Sequence, residues 1–436
     1  MRVKLKTLGC RLNEAELEAW ARQFTNTGHR IVTEDETCDL VVFNSCAVTG
    51  DAARKSRNLV RREKRHNPTA RVVLSGCYAS LNQTGAAALD VDMVVTNPDK
   101  HRLVELVQAR FDLPPEPLNA LDPVESALFR RGRQRAFIKV QDGCRYRCTY
   151  CIVTVARGEE RSRPVEDIVA EVNAIQAEGI REIVLTGVHL GGYGSDLSLR
   201  LDHLLEALLE QTDIPRIRLG SLEPWDIPEP LIRLFDNPRL MPHLHLPLQS
   251  GSDTVLRRMA RRCRTDEFSR LADTLRTAIP DINLTTDLIV GFPGETEAEW
   301  QQTLDYVEKT GFGHIHVFGY SPRAGTPAAG LPNPVPVAVI QQRSQMLRQL
   351  AEQQALHFRH RFLGRVFPVL WEKARTRPDG SQENTGLTPN YLRVALPFGG
   401  DADKLNQITP TCLTRLSEAF ENGDFEGSTP RESGIT

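Results

Sequence analysis

No run of about 18 or more uncharged apolar residues occurs in the sequence, so a membrane-spanning helix is not expected. The opening residues, MRVKLKTLGC, lack the apolar core and cleavage site of a secretory leader and run straight into a strand pattern. A cytoplasmic location is the expectation, and in a reducing compartment the nine cysteines are not expected to form structural disulfides. Net charge is almost absent, −2 from 54 basic and 56 acidic residues, so composition alone does not make the chain a polyanion binder. No internal repeat is evident. The 436 residues, 40% hydrophobic and 25% charged, suffice for two or three domains with cores of their own.

The small net charge hides local basic runs. Arg54, Lys55, Arg57, Arg61, Arg62, Lys64 and Arg65 face only Glu63 within their segment. Arg130, Arg131, Arg133, Arg135 and Lys139 form a second run, and Arg257, Arg258, Arg261, Arg262 and Arg264 a third. One such run is ordinarily a solvated helix face. Three runs, two of them near cysteine motifs, favour a phosphate backbone as partner.

Residues 1–100 alternate short apolar strands (Val3–Leu8, Leu40–Phe43, Arg71–Leu74, Met93–Val95) with amphipathic stretches at about 13–27 and 50–65. This βα alternation predicts a parallel sheet with helices on its faces. Three strands end alike, at Gly9-Cys10, Ser45-Cys46 and Gly76-Cys77, and ligands bind outside the carboxyl ends of such strands. Residues 111–134, rich in Pro and then Arg, read as a linker. Six further strands are predicted at Ala136–Val140, Glu182–Thr186, Arg216–Leu219, Leu244–Leu248, Asn283–Val290 and His314–Phe318, with helices between them. Six βα units fit a partial parallel (βα)6 barrel with its chemistry at the strand carboxyl ends. A long helix over Val337–Arg361 precedes short β runs at Val366–Trp371 and Tyr391–Leu396, which suggest a small antiparallel β-barrel. The polar tail from Glu421 is expected to be disordered. The domain expectation is therefore 1–110, 130–358 and 361–420.

Cys144, Cys148 and Cys151 form C-x3-C-x2-C just after the first barrel strand. Three thiolates on one loop suit a [4Fe–4S] cluster, normally held by four, with one iron left open. Zinc is the competing reading, but structural zinc takes four ligands and no fourth Cys or His lies nearby in sequence. Cys38, Cys263 and Cys412 lack strand-end companions and read as buried or incidental thiols. His243 and His245 alternate on one strand, where packing or hydrogen bonding inside the barrel is favoured over metal binding.

The segment Cys144-Arg-Tyr-Arg-Cys148-Thr-Tyr150-Cys151 resembles the signature of the radical S-adenosylmethionine (SAM) superfamily, with Tyr150 as its aromatic. The resemblance implies that the open iron chelates SAM and that one electron splits the sulfonium bond to release a 5′-deoxyadenosyl radical. It narrows to the methylthiotransferases through Thr7-Leu-Gly-Cys10-Arg-Leu-Asn13, Asn44-Ser-Cys46-Ala-Val-Thr49, Gly76-Cys77-Tyr78, Ala156-Arg157-Gly158, Arg161-Ser-Arg163, His243–Gly251 and Asp287–Thr296. That family implies a flavodoxin-like first domain with a second [4Fe–4S] cluster on Cys10, Cys46 and Cys77, where sulfur docks. A second SAM supplies the methyl group. An electron-donor protein and a sulfur source are implied partners.

The words around Cys10 and Cys46 are most similar to the branch acting on N6-threonylcarbamoyladenosine, just 3′ of the anticodon, which makes the tRNA anticodon stem-loop the expected partner. Alternatives are the isopentenyladenosine branch, the ribosomal-protein branch, and a non-enzymatic RNA-binding protein stabilised by metal–cysteine sites. The adenine C2–H offers acid–base catalysis no easy handle, and a base in an anticodon loop can be splayed out and stacked on aromatics.

The carboxyl-terminal β domain resembles the RNA-binding TRAM module at Glu383-Asn-Thr-Gly386 and Asn390–Val394; a plain structural cap is the competing reading. For the cofactor, the resemblance points to Thr186 and Gly187 at the second barrel strand end and to Gly291 after the fifth, where a tight turn is the alternative. Glu223 and Gln249 end the third and fourth strands as cofactor or substrate contacts, or as structural partners. Arg157 and Arg163 would balance a cofactor carboxylate or RNA phosphate, or form salt bridges. No acid–base catalyst is assigned.

Overall fold

The computed structural model describes residues 1–112, 134–376, 380–397, 404–416 and 425–429. The expected linker and most of the second basic run lie outside them. The described chain forms two compact units: Met1–Ala174, Val184–Arg200 and Ser321–Gly330 in one, Ile175–Ile183, Leu201–Tyr320 and Leu331–Thr436 in the other.

The first unit opens with a parallel sheet of β1 (Arg2–Thr7), β2 (Arg30–Ile31), β3 (Leu40–Ser45), β4 (Arg71–Gly76) and β5 (Met93–Val95). Its order is β2-β1-β3-β4-β5, the flavodoxin-like order. Alternating strand residues feed two cores. Val3, Leu5, Leu40 and Val42 pack with Trp20 and Phe24 of helix Arg11–Asn26, whereas Val41, Phe43, Val72 and Leu74 pack with Val60 of helix Gly50–His66. Thr49 caps the latter helix, its Oγ1 accepting from Ala52 N at 3.1 Å. The register pairs Thr7 with Asn44 and Ser45 with Gly76, so the three cysteine-bearing strands finish level.

β6 (Arg135–Lys139) follows in the same unit and sits beside the end of β9 (Glu182–Thr186), Val140 N donating to Thr186 O at 2.9 Å. The short antiparallel pair β7 (Gln141–Asp142) and β8 (Arg161–Ser162) closes the base of the Cys144–Cys151 loop.

In the second unit β10 (Arg216–Leu219) runs beside the start of β9, Arg216 N donating to Arg181 O at 3.1 Å. β11 (His243–His245), β12 (Asn283–Val290) and β13 (His314–Gly319) continue as a parallel sheet. β11 is shorter than the expected Leu244–Leu248. Pro247 has no N–H to give, the Leu248 N–H goes to the Thr286 hydroxyl at 3.0 Å, and Gln249 turns to φ +80°.

Helix Val337–His360 leads to a closed barrel of β14 (Val366–Thr376), β15 (Gln382–Leu387), β16 (Arg393–Pro397), β18 (Phe425–Ser428) and β17 (Ile408–Leu416), in that order. β18 corrects the expectation of a disordered tail from Glu421. Phe425 is fully buried with Trp371, Val394 and Leu413, so one aromatic anchors an otherwise polar strand between β16 and β17. The Asn390–Val394 stretch likewise is not free strand surface. Asn390 O accepts from Asn283 Nδ2 at 2.9 Å, and Tyr391 stacks on His243 with ring centroids 4.6 Å apart.

Candidate active site

Cys10, Cys46 and Cys77 follow β1, β3 and β4, at and beside the point where the sheet order reverses. Two glycines bring these turns together. Gly9 has φ +127°, and a Cβ there would lie 3.0 Å from Cys46 Sγ. Gly76 has φ +99°, and a Cβ would lie 2.2 Å from Ser45 O. Only glycine fits such an approach. Burial, and after it the charges of Cys10 and Cys77, pushes the Cys46 thiol up to about 11. Cys144 is pushed up to about 12 by burial, and then by Cys151, Cys148 and Glu160. Each triplet is therefore a set of soft donors in which one buried thiol resists ionisation, and a bound cation would convert such thiols to thiolates. The donor chemistry fits an iron–sulfur cluster at both places.

The two triplets belong to the same compact unit, and one buried arginine connects their surroundings. Helix Val153–Arg157 follows the Cys144–Cys151 loop. Its Arg157 guanidinium donates to Asn13 Oδ1 at 2.9 Å, Glu16 Oε1 at 2.9 Å and Asp142 Oδ1 at 3.1 Å. Asn97 Nδ2 donates to Ala156 O at 2.7 Å and lies 3.9 Å from Cys77 Sγ. Although burial opposes charge on Glu16, Arg157, Lys100 and Lys139 hold its carboxyl well below its ordinary value. Burial also opposes the Arg157 cation, but Glu16, then Cys77 and Asp142, hold it well above its own. Arg163 forms an ion pair instead, with Glu171 at 2.6 Å.

Sequence reading missed most of this support. Glu16, Asn97, Asp142, Glu160 and His189 carry no local signal, and Asn13, though within the motif around Cys10, gives no sign there of Arg157, because these partners come from distant segments. His189 Nδ1 lies 2.6 Å from Glu160 Oε1, and both lie within 4.8 Å of Cys144 by their ligand-capable atoms. Gln141 was missed too. Its Oε1 accepts from His189 N at 2.9 Å, and its Nε2 donates to Gly143 O at 2.8 Å.

Tyr150 is half-buried within the cysteine loop, whose Thr149 O accepts from Ala328 N at 2.9 Å. Thr186 and Gly187 end β9, where a Cβ on Gly187 would come within 2.9 Å of Gln141 Oε1. The other three residues lie in the second unit. Glu223 forms a two-armed ion pair with Arg261 at 3.1 and 2.6 Å. Gln249 is buried in the left-handed region, its N donating to Asp287 O and its O accepting from Ile289 N, both at 2.9 Å. Gly291, φ +77°, leaves room for Ile340, whose Cγ1 would be 2.3 Å from a Cβ. Of the third basic run, Arg258 pairs with Glu299 and Arg261 with Glu223, whereas Arg257, Arg262 and Arg264 are exposed.

Residues 138–307 match the Radical SAM superfamily and residues 2–96 match the Uncharacterized protein family UPF0004. The fold and the cysteine loop thus define a radical SAM protein, and membership implies SAM and a [4Fe–4S] cluster. The chain is 38% identical to the threonylcarbamoyladenosine tRNA methylthiotransferase MtaB of Thermotoga maritima, over 85% of this chain and 86% of that one. It is 33% identical to the protein of the same name from Bacillus subtilis, over 97% and 96%. A tRNA-2-methylthio-N(6)-dimethylallyladenosine synthase of Maricaulis maris is 35% identical over 98% of each chain. The chain belongs to this family of radical SAM tRNA methylthiotransferases. Among solved structures, the radical SAM methyltransferase TsrM from Kitasatospora setae has a TM-score of 0.57 at 16% identity, over 75% of this chain and 77% of that one, a likeness of fold alone. No described helix is long and apolar enough to cross a membrane.

Proposed function

We propose that the protein adds a methylthio group to C2 of N6-threonylcarbamoyladenosine beside the tRNA anticodon. The observation that carries this reading is the pair of cysteine triplets in one compact unit, joined through Arg157. The similarity to threonylcarbamoyladenosine tRNA methylthiotransferases over nearly the whole chain supports the choice of base.

On this reading Cys144, Cys148 and Cys151 hold the cluster that, when bound, supplies the electron for breaking the sulfonium bond of SAM. Cys10, Cys46 and Cys77 hold a second [4Fe–4S] cluster that supplies the place where sulfur is kept. The chain's own residues do the positioning. Gly9 and Gly76 let the three amino-terminal turns converge, and Arg157 fixes both cysteine loops against one buried carboxylate. Within the first unit, Tyr150, Thr186 and Gly187 are assigned to the surroundings of SAM. The cofactor roles read for Glu223, Gln249 and Gly291 stay proposals resting on the resemblance, with Glu223 held in place by Arg261. An electron-donor protein and a sulfur source complete the reaction.

Anaerobic reconstitution tests this directly. About eight irons per chain are expected, falling to about four in both Cys10→Ala and Cys144→Ala. Cys10→Ala retains SAM cleavage without methylthiolation, and Cys144→Ala loses both. Four irons in the intact protein, unchanged in Cys10→Ala, would remove the second cluster. Nucleoside analysis of anticodon stem-loops bearing either modification decides the base. Product only on isopentenyladenosine would overturn the choice made here.

A further inference from the structure

The strand register of the second unit gathers residues that no sequence motif joins. His245 pairs with Thr285, Thr285 with His314, and Asp287 with His316. Successive strand residues point to opposite faces, so His245, Thr285, Asp287 and His316 share one face. Leu244, Thr286, Leu288 and Ile315, on the other, are buried.

We propose that His245, Asp287 and His316 form a binding site for one divalent cation of the zinc class. One ligand-capable atom from each lies within 4.8 Å of the others. His245 Nε2 and Asp287 Oδ1 are 3.1 Å apart. Tetrahedral zinc with ligands at about 2.0 Å separates neighbouring donors by about 3.3 Å, so a cation enters this pair with little movement. Thr285 Oγ1 lies 2.9 Å from His245 Nδ1. A proton on Nδ1, donated to that hydroxyl, leaves the Nε2 lone pair turned toward Asp287, the outer-sphere support that metal-bound imidazoles use.

Exposure grades across the set: His245 is buried, Asp287 half-buried and His316 exposed, so an ion reaches the site from the His316 side. Two imidazoles and one carboxylate suit zinc or manganese and leave a position for water. The donors are nitrogen and oxygen only, which separates this site from the thiol sets. His243 stacks on Tyr391, and its Nε2 lies 3.3 Å from the same Thr285 hydroxyl, which can accept from His245 and donate to His243. Packing and hydrogen bonding, the expected roles, are found at both histidines, and the register adds Asp287 and His316 to His245.

The test is metal binding to the reconstituted holoenzyme after mild chelation, with iron and sulfide counts confirming that the clusters survive. Mn2+, which has little affinity for thiolates, is titrated by electron paramagnetic resonance, and Zn2+ by equilibrium dialysis. One equivalent of either ion is expected, with affinity weakened at least tenfold in His316→Ala and in Asp287→Asn. His316 is exposed, so its variant is expected to fold even where a His245 variant does not. Absence of saturable binding overturns the site, as does undiminished binding in His316→Ala. Zinc that binds only as iron is lost belongs to the cysteines and also overturns it.

Discussion

Arg157 Nη2 donates to Asn13 Oδ1 at 2.9 Å, tying the helix after the Cys144–Cys151 loop to the helix that starts beside Cys10. The same guanidinium serves Glu16 and Asp142. Arg157→Met is expected to cost about 3–5 kcal/mol, because it leaves buried carboxylates short of a partner. Arg157→Lys keeps the charge but loses the planar fork, so an intermediate loss is expected. Urea unfolding of the cluster-free chain measures both. A loss below about 1 kcal/mol in the Met variant would show that the lysines suffice.

Glu16 predicts a pH dependence. Its folded-state carboxyl titrates well below the ordinary 4.5, so its contribution to stability is fully present above that value. The contribution is lost as pH falls through the lower folded-state value. Glu16→Gln should therefore be less stable than the native chain near neutrality, with the gap narrowing as pH is lowered from about 5 to about 3. Urea midpoints across that range supply the check, and a gap that widens on acidification contradicts the assignment.

Gly76→Ala should cost more than about 2 kcal/mol, since it adds left-handed strain to a Cβ placed 2.2 Å from Ser45 O. Gly311→Ala is the comparison. Gly311 also has positive φ, at +66°, but a Cβ there meets nothing within 4 Å, and a cost near 1 kcal/mol is expected. Iron counts should show Gly76→Ala losing the amino-terminal set and keeping the other.

Arg61 and Arg65 are exposed on helix Gly50–His66, whereas Arg54, Lys55 and Lys64 have acidic partners. Replacing Arg61 and Arg65 with Gln should weaken tRNA binding and lower the slope of log K against log salt by about 1–2. SAM cleavage in the absence of RNA should not change. An unaltered slope would place the phosphates elsewhere.

Much of the fold is legible in the sequence where pattern and punctuation coincide. β10 and β12 begin and end where apolar residues meet Gly, Pro or Asn, β9 ends at Gly187, and Gly-Cys marks two of the three converging turns. Features set by distant pairing are not legible. The two-residue strands β2, β7 and β8 have no period to read. β18 hides in a polar stretch, because one phenylalanine is enough to seat it. Glu223 left two readings open, and Arg261 is the partner the structure supplies. Arg157 meets Glu16 across 141 positions, a relation no local rule reaches. His245 gains Asp287 and His316 only once the register of β11, β12 and β13 is known.

Among the described strands β18 comes last in chain order, and it is the one that closes the carboxyl-terminal barrel between β16 and β17. Without it, β16 and β17 each present an open edge to other chains. A chain that lacks β18 would thus be inclined to aggregate while both cysteine triplets remain intact.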